Sequence, residues 1–285
     1  MSAPDALQAM TRDVDMVRDV AIAAADAAAE VVRAHRGAGT AVEWQLKGRV
    51  DYVSMVDTAA ETRIREVVAH ALPDARVIGE ELTPDDAIGS GITFIVDPLD
   101  GTTNFLHDYP EYAVSIAGLI ERDVVVGVVA NVPYGLRYVA VAGRGATLDG
   151  RPLRVSDIRE PARALIGTGL PFKHPEQIDR YIRELPLIMR AASGVRRAGA
   201  AALDLCTVAA GRFDAFWEHM LEPWDFAAGA LLIREAGGAI TNLRGEPLAL
   251  TRSGVLAGNP WMHEWMLRTL EQAAAKFDVP RPRTA

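Results

Sequence analysis

The chain reads as an α+β protein of layered sheets and helices. Three observations predict this. A long amphipathic helix opens the chain, a block of strands rich in β-branched residues follows, and strands alternate with helices through the second half. The 285 residues suffice for one large unit or two closely joined halves, and 49% hydrophobic residues supply a large core.

Val14, Val17, Ala21, Ala24, Ala28 and Val31 recur at spacings of three and four and form one apolar helix face. Asp13, Arg18, Asp26 and Arg33 lie off it, and Gly37 and Gly39 end the helix. A second helix spans Thr58 to Leu72. Thr58 and Glu61 have the spacing of a capping box, Ile64, Val67, Val68 and Ala71 form the buried stripe, and Pro73 stops it. Asp57 stands at its entrance, where a carboxylate often serves only as a cap. A short strand, Ala75 to Ile78, follows.

From Ile92 to Val141 the pattern is that of an antiparallel meander. Its apolar runs are Ile92–Val96, Tyr112–Ile120, Val124–Val132 and Leu136–Val141, with short polar turns between them. Asp149-Gly150 is a further hairpin signal. In the second half, Ala164–Thr168 reads as a strand, Pro175–Ala192 and Ala200–Ala210 as helices, and Phe213–Trp217 as a strand. Pro223 suits a first helical turn, and its helix runs to Ala236 with Gly237-Gly238 at the end. Ile240 and Val255–Ala257 are short strands, Trp261–Ala275 is a last helix, and the Pro280–Arg283 tail frays. The best division falls near residues 145–160. It separates an N-terminal α+β half (1–150) from a C-terminal α/β half (151–285) within one compact unit.

A net charge of -8 argues against a nucleic-acid footprint, so no nucleic-acid partner is expected. No secretory pattern and no bilayer-spanning run is visible, so a cytoplasmic protein with no membrane partner is expected. The single cysteine, Cys206, reads as a core residue in a reducing compartment.

The chemistry concentrates in Asp97-Pro98-Leu99-Asp100-Gly101-Thr102-Thr103-Asn104-Phe105. Two carboxylates three residues apart end an apolar strand, where an unpaired charge is costly. Such pairs hold hard cations such as Mg²⁺. The Gly-Thr-Thr turn that follows offers backbone N–H groups to an anion. Glu80 sits just past a strand in Gly79-Glu80-Glu81, and Asp225 follows Trp224 in a first helical turn. Taken singly, Glu80 reads as a solvated turn residue, Asp225 as a charge complementing the helix dipole, and Asp100 as a cap of the following helix. His107 and His219 are set aside, because Mg²⁺ prefers oxygen donors.

The Asp97–Phe105 run resembles the metal motif of the inositol monophosphatase family of Mg²⁺-dependent, lithium-sensitive sugar phosphatases. Gly79-Glu80-Glu81 resembles its upstream metal ligand, and Trp224-Asp225-Phe226-Ala227-Ala228-Gly229 with Glu235-Ala236-Gly237-Gly238 its C-terminal signature. Arg196-Arg197-Ala198-Gly199-Ala200-Ala201-Ala202-Leu203-Asp204 is similar to the segment before the substrate pocket. The resemblance implies an αβαβα sandwich of the sugar phosphatase type and a homodimer. Its dimer contacts are sought on the apolar face of the antiparallel strands or around Arg196-Arg197.

For the site, the resemblance implies two to three Mg²⁺ ions. Glu80, Asp97 and the Leu99 carbonyl would hold the first, Asp97, Asp100 and Asp225 the second, with a third near Glu80. Thr102, hydrogen-bonded to Asp57, would position the attacking water, and the Gly101 and Thr102 N–H groups would receive the phosphate. Glu218 would bind a ring hydroxyl, Gly199, Ala200 and Ala201 would contact the ring, and Arg196 would lie on the substrate side, against a bland reading as an exposed or dimer-interface arginine. Lys47 matches a lysine of the loop beside the metals. The implied substrate is a small polyol phosphate, myo-inositol-1-phosphate first. Histidinol phosphate, fructose-1,6-bisphosphate, adenosine 3′,5′-bisphosphate and a non-catalytic regulatory role are the alternatives.

Overall fold

The computed structural model describes residues 3–37, 44–48 and 51–275, with side chains described over 11–36 and 55–275. The elements run in the order α1 (Ala3–Gly37), β1 (Trp44–Gly48), β2 (Asp51–Ser54), α2 (Met55–Ala71), β3 (Arg76–Gly79), β4 (Ile92–Asp100), α3 (Thr102–Leu106), β5 (Ala113–Ile120), β6 (Asp123–Asn131), β7 (Leu136–Val141), β8 (Gly145–Leu148) and β9 (Arg151–Pro152). They continue with β10 (Leu165–Thr168), α4 (Ile178–Ala191), β11 (Gly194–Arg196), α5 (Ala201–Ala209), β12 (Ala215–Leu221), α6 (Pro223–Glu235), β13 (Ala239–Thr241), β14 (Ser253–Gly258) and α7 (Pro260–Ala275).

β3 to β9 form a seven-stranded sheet in sequence order, and β11-β10-β12-β14-β13 form a five-stranded one. In the first sheet β3 pairs parallel with β4 and every later pair is antiparallel, so the expected meander is present. In the second, β11, β10 and β12 run parallel while β14 pairs antiparallel with β12 and β13.

Period-two alternation builds the layers. On β4, Phe94 and Val96 pack with Val17, Ala21 and Ala24 of α1 and Val56, Ile64 and Val68 of α2. Ile95 faces the other way, into a core shared with Leu205 of α5 and Phe226 and Leu231 of α6. Phe216, Val255 and Ala257 close that same core from the second sheet. Trp217 and Leu256, one residue out of phase, pack on Tyr181 and Ile188 of α4 and Met262 and Met266 of α7. The result is an αβαβα sandwich. Cys206 lies in the middle layer, fully buried, and burial pushes its thiol up.

Several local expectations change. α1 buries Val20, Ala25, Ala29 and Val32 as well, because it packs on α2 and on the sheet at once and its small residues allow close approach on a wide face. α2 begins at Met55, which puts Asp57 inside the first turn. Glu61 is therefore no capping-box partner: it is fully buried and bonds elsewhere. Ala71 is exposed, and Leu72 takes its place in the core. β12 extends to Leu221, past the expected Trp217, and the edge strand β11 is new. The Asp149-Gly150 signal holds: both residues take positive φ between β8 and β9. Both faces of the seven-stranded sheet are covered by helices, which removes the meander's apolar face as a dimer contact. Gly39 and the Pro280–Arg283 tail lie outside the described residues.

Candidate active site

Where β3 and β4 end, α5 and α6 begin and β12 runs past, the two sheets leave a cavity of about 180 Å³. Glu80, Asp97, Leu99, Asp100, Gly101, Thr102, Gly199, Ala201, Glu218 and Asp225 line it together.

Backbone N–H groups hold three of the acidic side chains. Asp97 ends the regular part of β4, and its Oδ1 accepts the Leu99 N–H at 2.9 Å. The β4–β5 register breaks between Asp97 and Asp100, and this bulge turns both carboxylates toward one side. Asp100 does cap a helix, but a distant one: its Oδ2 accepts the Ala202 N–H of α5 at 2.8 Å. The short α3 starts instead from Gly101, whose φ of 88° is left-handed and favours glycine. Asp225 sits in the first turn of α6, and its Oδ2 accepts the Glu222 N–H at 2.7 Å. Glu80 follows β3, with its own N–H donating to the Val96 carbonyl at 3.3 Å.

Asp57 reaches the same place from α2. It is 1% exposed and accepts the Thr102 hydroxyl at 2.9 Å. That hydroxyl also stands 3.1 Å from the Leu99 carbonyl.

The electrostatics are those of crowded like charges. Burial pushes Asp97 well above the ordinary carboxylate range, and Glu80, Asp100 and Asp225 push the same way. Burial likewise raises Asp225, helped by Glu80 and Asp100. Asp100 is pushed up to about 7 by burial, against the pull of the Ala202 N–H. Glu218 is pushed up to about 8 by burial, with Arg197 pulling it down. Of the five carboxylates lining this small space, Glu80, Asp97, Asp100 and Asp225 form an all-oxygen donor set suited to hard divalent cations. As they stand, no three His, Cys, Asp or Glu side chains among the described residues are arranged about one ion.

Ala200 sits behind the lining, its Cβ close to Gly101 and its carbonyl accepting the Asp204 N–H at 3.0 Å. Arg196 is on β11, exposed, and faces a second cavity together with Tyr109, Glu111 and Arg212. Arg197 stands in the first cavity, and its guanidinium lies 5.3 Å from the Phe172 ring centroid. Lys47 falls on β1, and its side chain lies outside the described residues. His107 only closes α3. His219 borders the cavity, with its Nε2 2.8 Å from buried Glu184.

Sequence reasoning passed over Lys173 and the Gly169–His174 loop, which form one wall. The only local signal is a Gly-Leu-Pro-Phe-Lys run directly after a strand. Asn104, within the Asp97–Phe105 run, braces the backbone. Its side-chain amide donates to the Ala198 and Glu111 carbonyls at 3.0 and 2.7 Å, which ties α3 to the approach to α5.

A layered αβαβα sandwich with an acidic, oxygen-rich cavity at its strand ends is the architecture of the sugar phosphatases. The family model described as the inositol monophosphatase family matches residues 13–275, and the chain belongs to that family. It is 40% identical over 261 residues to the Nus factor SuhB of Pseudomonas aeruginosa, covering 89% of this chain and 95% of that one. It is 45% identical over 214 residues to an inositol-1-monophosphatase of Rhizobium meliloti, covering 75% and 80%. The crystal structure of extragenic suppressor protein suhB from Bartonella henselae superposes with a TM-score of 0.83 at 40% identity, over 89% of this chain and 98% of that one.

Proposed function

We propose that this protein hydrolyses small polyol phosphate monoesters with the help of Mg²⁺, with myo-inositol-1-phosphate as the first substrate. One observation carries the reading: Glu80, Asp97, Asp100 and Asp225, from three separate segments of chain, line one cavity beside the Asp57–Thr102 hydrogen bond. The name of the Rhizobium meliloti relative supports the substrate.

Glu80, Asp97, Asp100, Asp225 and the Leu99 carbonyl would hold two to three Mg²⁺ ions, whose charge acidifies a water and neutralises the departing oxygen. Thr102 donates a hydrogen bond to Asp57, so its oxygen keeps lone pairs to accept a hydrogen bond from the attacking water. That contact orients the water for in-line displacement. The Gly101 and Thr102 N–H groups hold the phosphoryl oxygens. Glu218, Gly199, Ala201 and Arg197 face the alcohol half, with Ala200 behind them and Glu218 bonding a ring hydroxyl. Lys47, which falls on β1 and not in a loop, is the remaining candidate beside the metals. Water attacks directly, and a phosphoenzyme trapped by rapid quench would overturn this step.

Purified protein with Mg²⁺ and myo-inositol-1-phosphate should release phosphate, and lithium should inhibit. Protein inert toward every sugar and polyol monophosphate tested would remove the reading. A panel with histidinol phosphate, fructose-1,6-bisphosphate and adenosine 3′,5′-bisphosphate ranks substrates by kcat/KM.

The Pseudomonas aeruginosa relative's name supports a second, non-catalytic role. Partner capture from extract that survives Asp97→Asn would establish it, and capture lost with that variant would tie it to the metal centre. The chain acts in the cytoplasm as a homodimer through the Arg196 region. A monomer in sedimentation would refute the dimer.

A further inference from the structure

Helix α2 presents two buried carboxylates one turn apart, Asp57 and Glu61. The first bonds Thr102 on the β4 side of the site. The second reaches the turn after β3, which carries Glu80. Glu61 Oε2 accepts the N–H groups of Glu81 and Leu82 at 2.8 and 3.2 Å. Its Oε1 takes Arg65 Nε and Nη2 at 3.0 and 2.8 Å. Arg65 Nη2 also donates to Thr83 Oγ1, which accepts the Gly79 N–H at 3.2 Å and donates to the Val77 carbonyl at 3.0 Å. Gly79 makes room for this knot, since a Cβ there would overlap the Glu61 carboxyl group.

A fully buried carboxylate is costly unless every oxygen is bonded. Here both oxygens are: Oε1 takes Arg65, and Oε2 grips the backbone immediately after Glu80. On the other side, Glu80's own N–H is held by Val96 of β4. Glu80 is thus clamped from both flanks, and α2 ties both arms of the site to one rigid helix.

We propose that Glu61 is a positioning residue that sets divalent-cation affinity by fixing the backbone that carries Glu80. This rests on the phosphatase reading, in which Glu80 is a ligand. Outer-sphere partners of this kind change metal affinity by about 10- to 100-fold.

The test uses the full chain as wild type, Glu61→Ala and Glu61→Gln. Mn²⁺ dissociation constants are measured by electron paramagnetic resonance without substrate, and Glu81 and Leu82 amide exchange in the metal-free protein. Alanine should raise Kd by about 10- to 100-fold. Glutamine, which keeps an acceptor but loses the charge facing Arg65, should raise it at least threefold. Both amides should exchange faster in each variant. At saturating Mg²⁺, kcat should stay within threefold of wild type, because Asp57 and Thr102 are untouched. A folded alanine variant with wild-type Kd overturns the proposal. Should alanine not fold, glutamine decides, and wild-type Kd with wild-type exchange overturns it. Wild-type protein that binds no Mn²⁺ removes the phosphatase reading and this role with it. Wild-type binding matched by both variants removes the role of Glu61 alone.

Discussion

Replacing Gly169 with alanine should damage substrate recognition through one added methyl. Gly169 follows β10 at the cavity wall, and a Cβ there would occupy the space of the Glu218 carboxyl group. The backbone itself is not in the left-handed region, so alanine is conformationally acceptable and the clash is the whole effect. Glu218 must then swing aside. A displacement of roughly 1 Å carries an O–H···O contact of about 2.7 Å past the range of a hydrogen bond. Losing a hydrogen bond to a charged or polarised carboxyl costs about 1.5–3 kcal/mol, which is about a 10- to 150-fold drop in kcat/KM. Phosphate release from myo-inositol-1-phosphate, followed across substrate concentration, gives the number. The mechanism makes a sharper demand in a double-mutant cycle. In a Glu218→Ala background the methyl has nothing to displace, so Gly169→Ala should cost almost nothing. An equal loss in both backgrounds would refute the reasoning, as would full activity in the single variant.

Asp97→Asn should abolish phosphate release, yet raise the melting temperature of the metal-free protein at pH 8, because it removes one of the buried like charges facing Glu80, Asp100 and Asp225. Calorimetry in chelator checks this. Asp100, pushed up to about 7, keeps a proton in the folded state that the unfolded chain releases near 3.8. Metal-free stability should therefore fall as pH rises from about 4 to about 7, and excess Mg²⁺ should offset the fall. Urea titrations in chelator showing a rise across that window would contradict it. Arg197→Met should raise KM several-fold while Arg196→Met leaves it unchanged, since only Arg197 lines the first cavity; steady-state kinetics of the two variants separates them.

The periodic features were legible. The apolar stripe of α1, the alternation that sends Phe94 one way and Ile95 the other, and the strand-ending Asp97 all follow from local pattern. What stayed hidden is contact at a distance. Asp100 resembles a cap for the helix that follows it, and nothing nearby signals that its partner is Ala202. Glu61 carries the same three-residue offset from Thr58 whether it caps a helix or anchors a remote turn. β11 has only three residues, too few for a periodicity, and its existence depends on β10 lying alongside. Lys173 and Arg197 sit in loops, where charge alone does not separate a solvated side chain from one that walls a site.

Asp97, Asp100 and Asp225 each lend one oxygen to a main-chain amide, of Leu99, Ala202 and Glu222 in turn. Part of every such side chain is thus masonry, and a carboxylate has a second oxygen to offer an ion. An asparagine can fill the first office but not the second. Carboxamide substitutions should therefore yield well-formed but inert molecules, whereas alanine at the same places should loosen the β4 bulge and the first turns of α5 and α6. The backbone around the centre should therefore keep its form when the ions leave, even though the crowded charges make the emptied protein less stable at neutral pH.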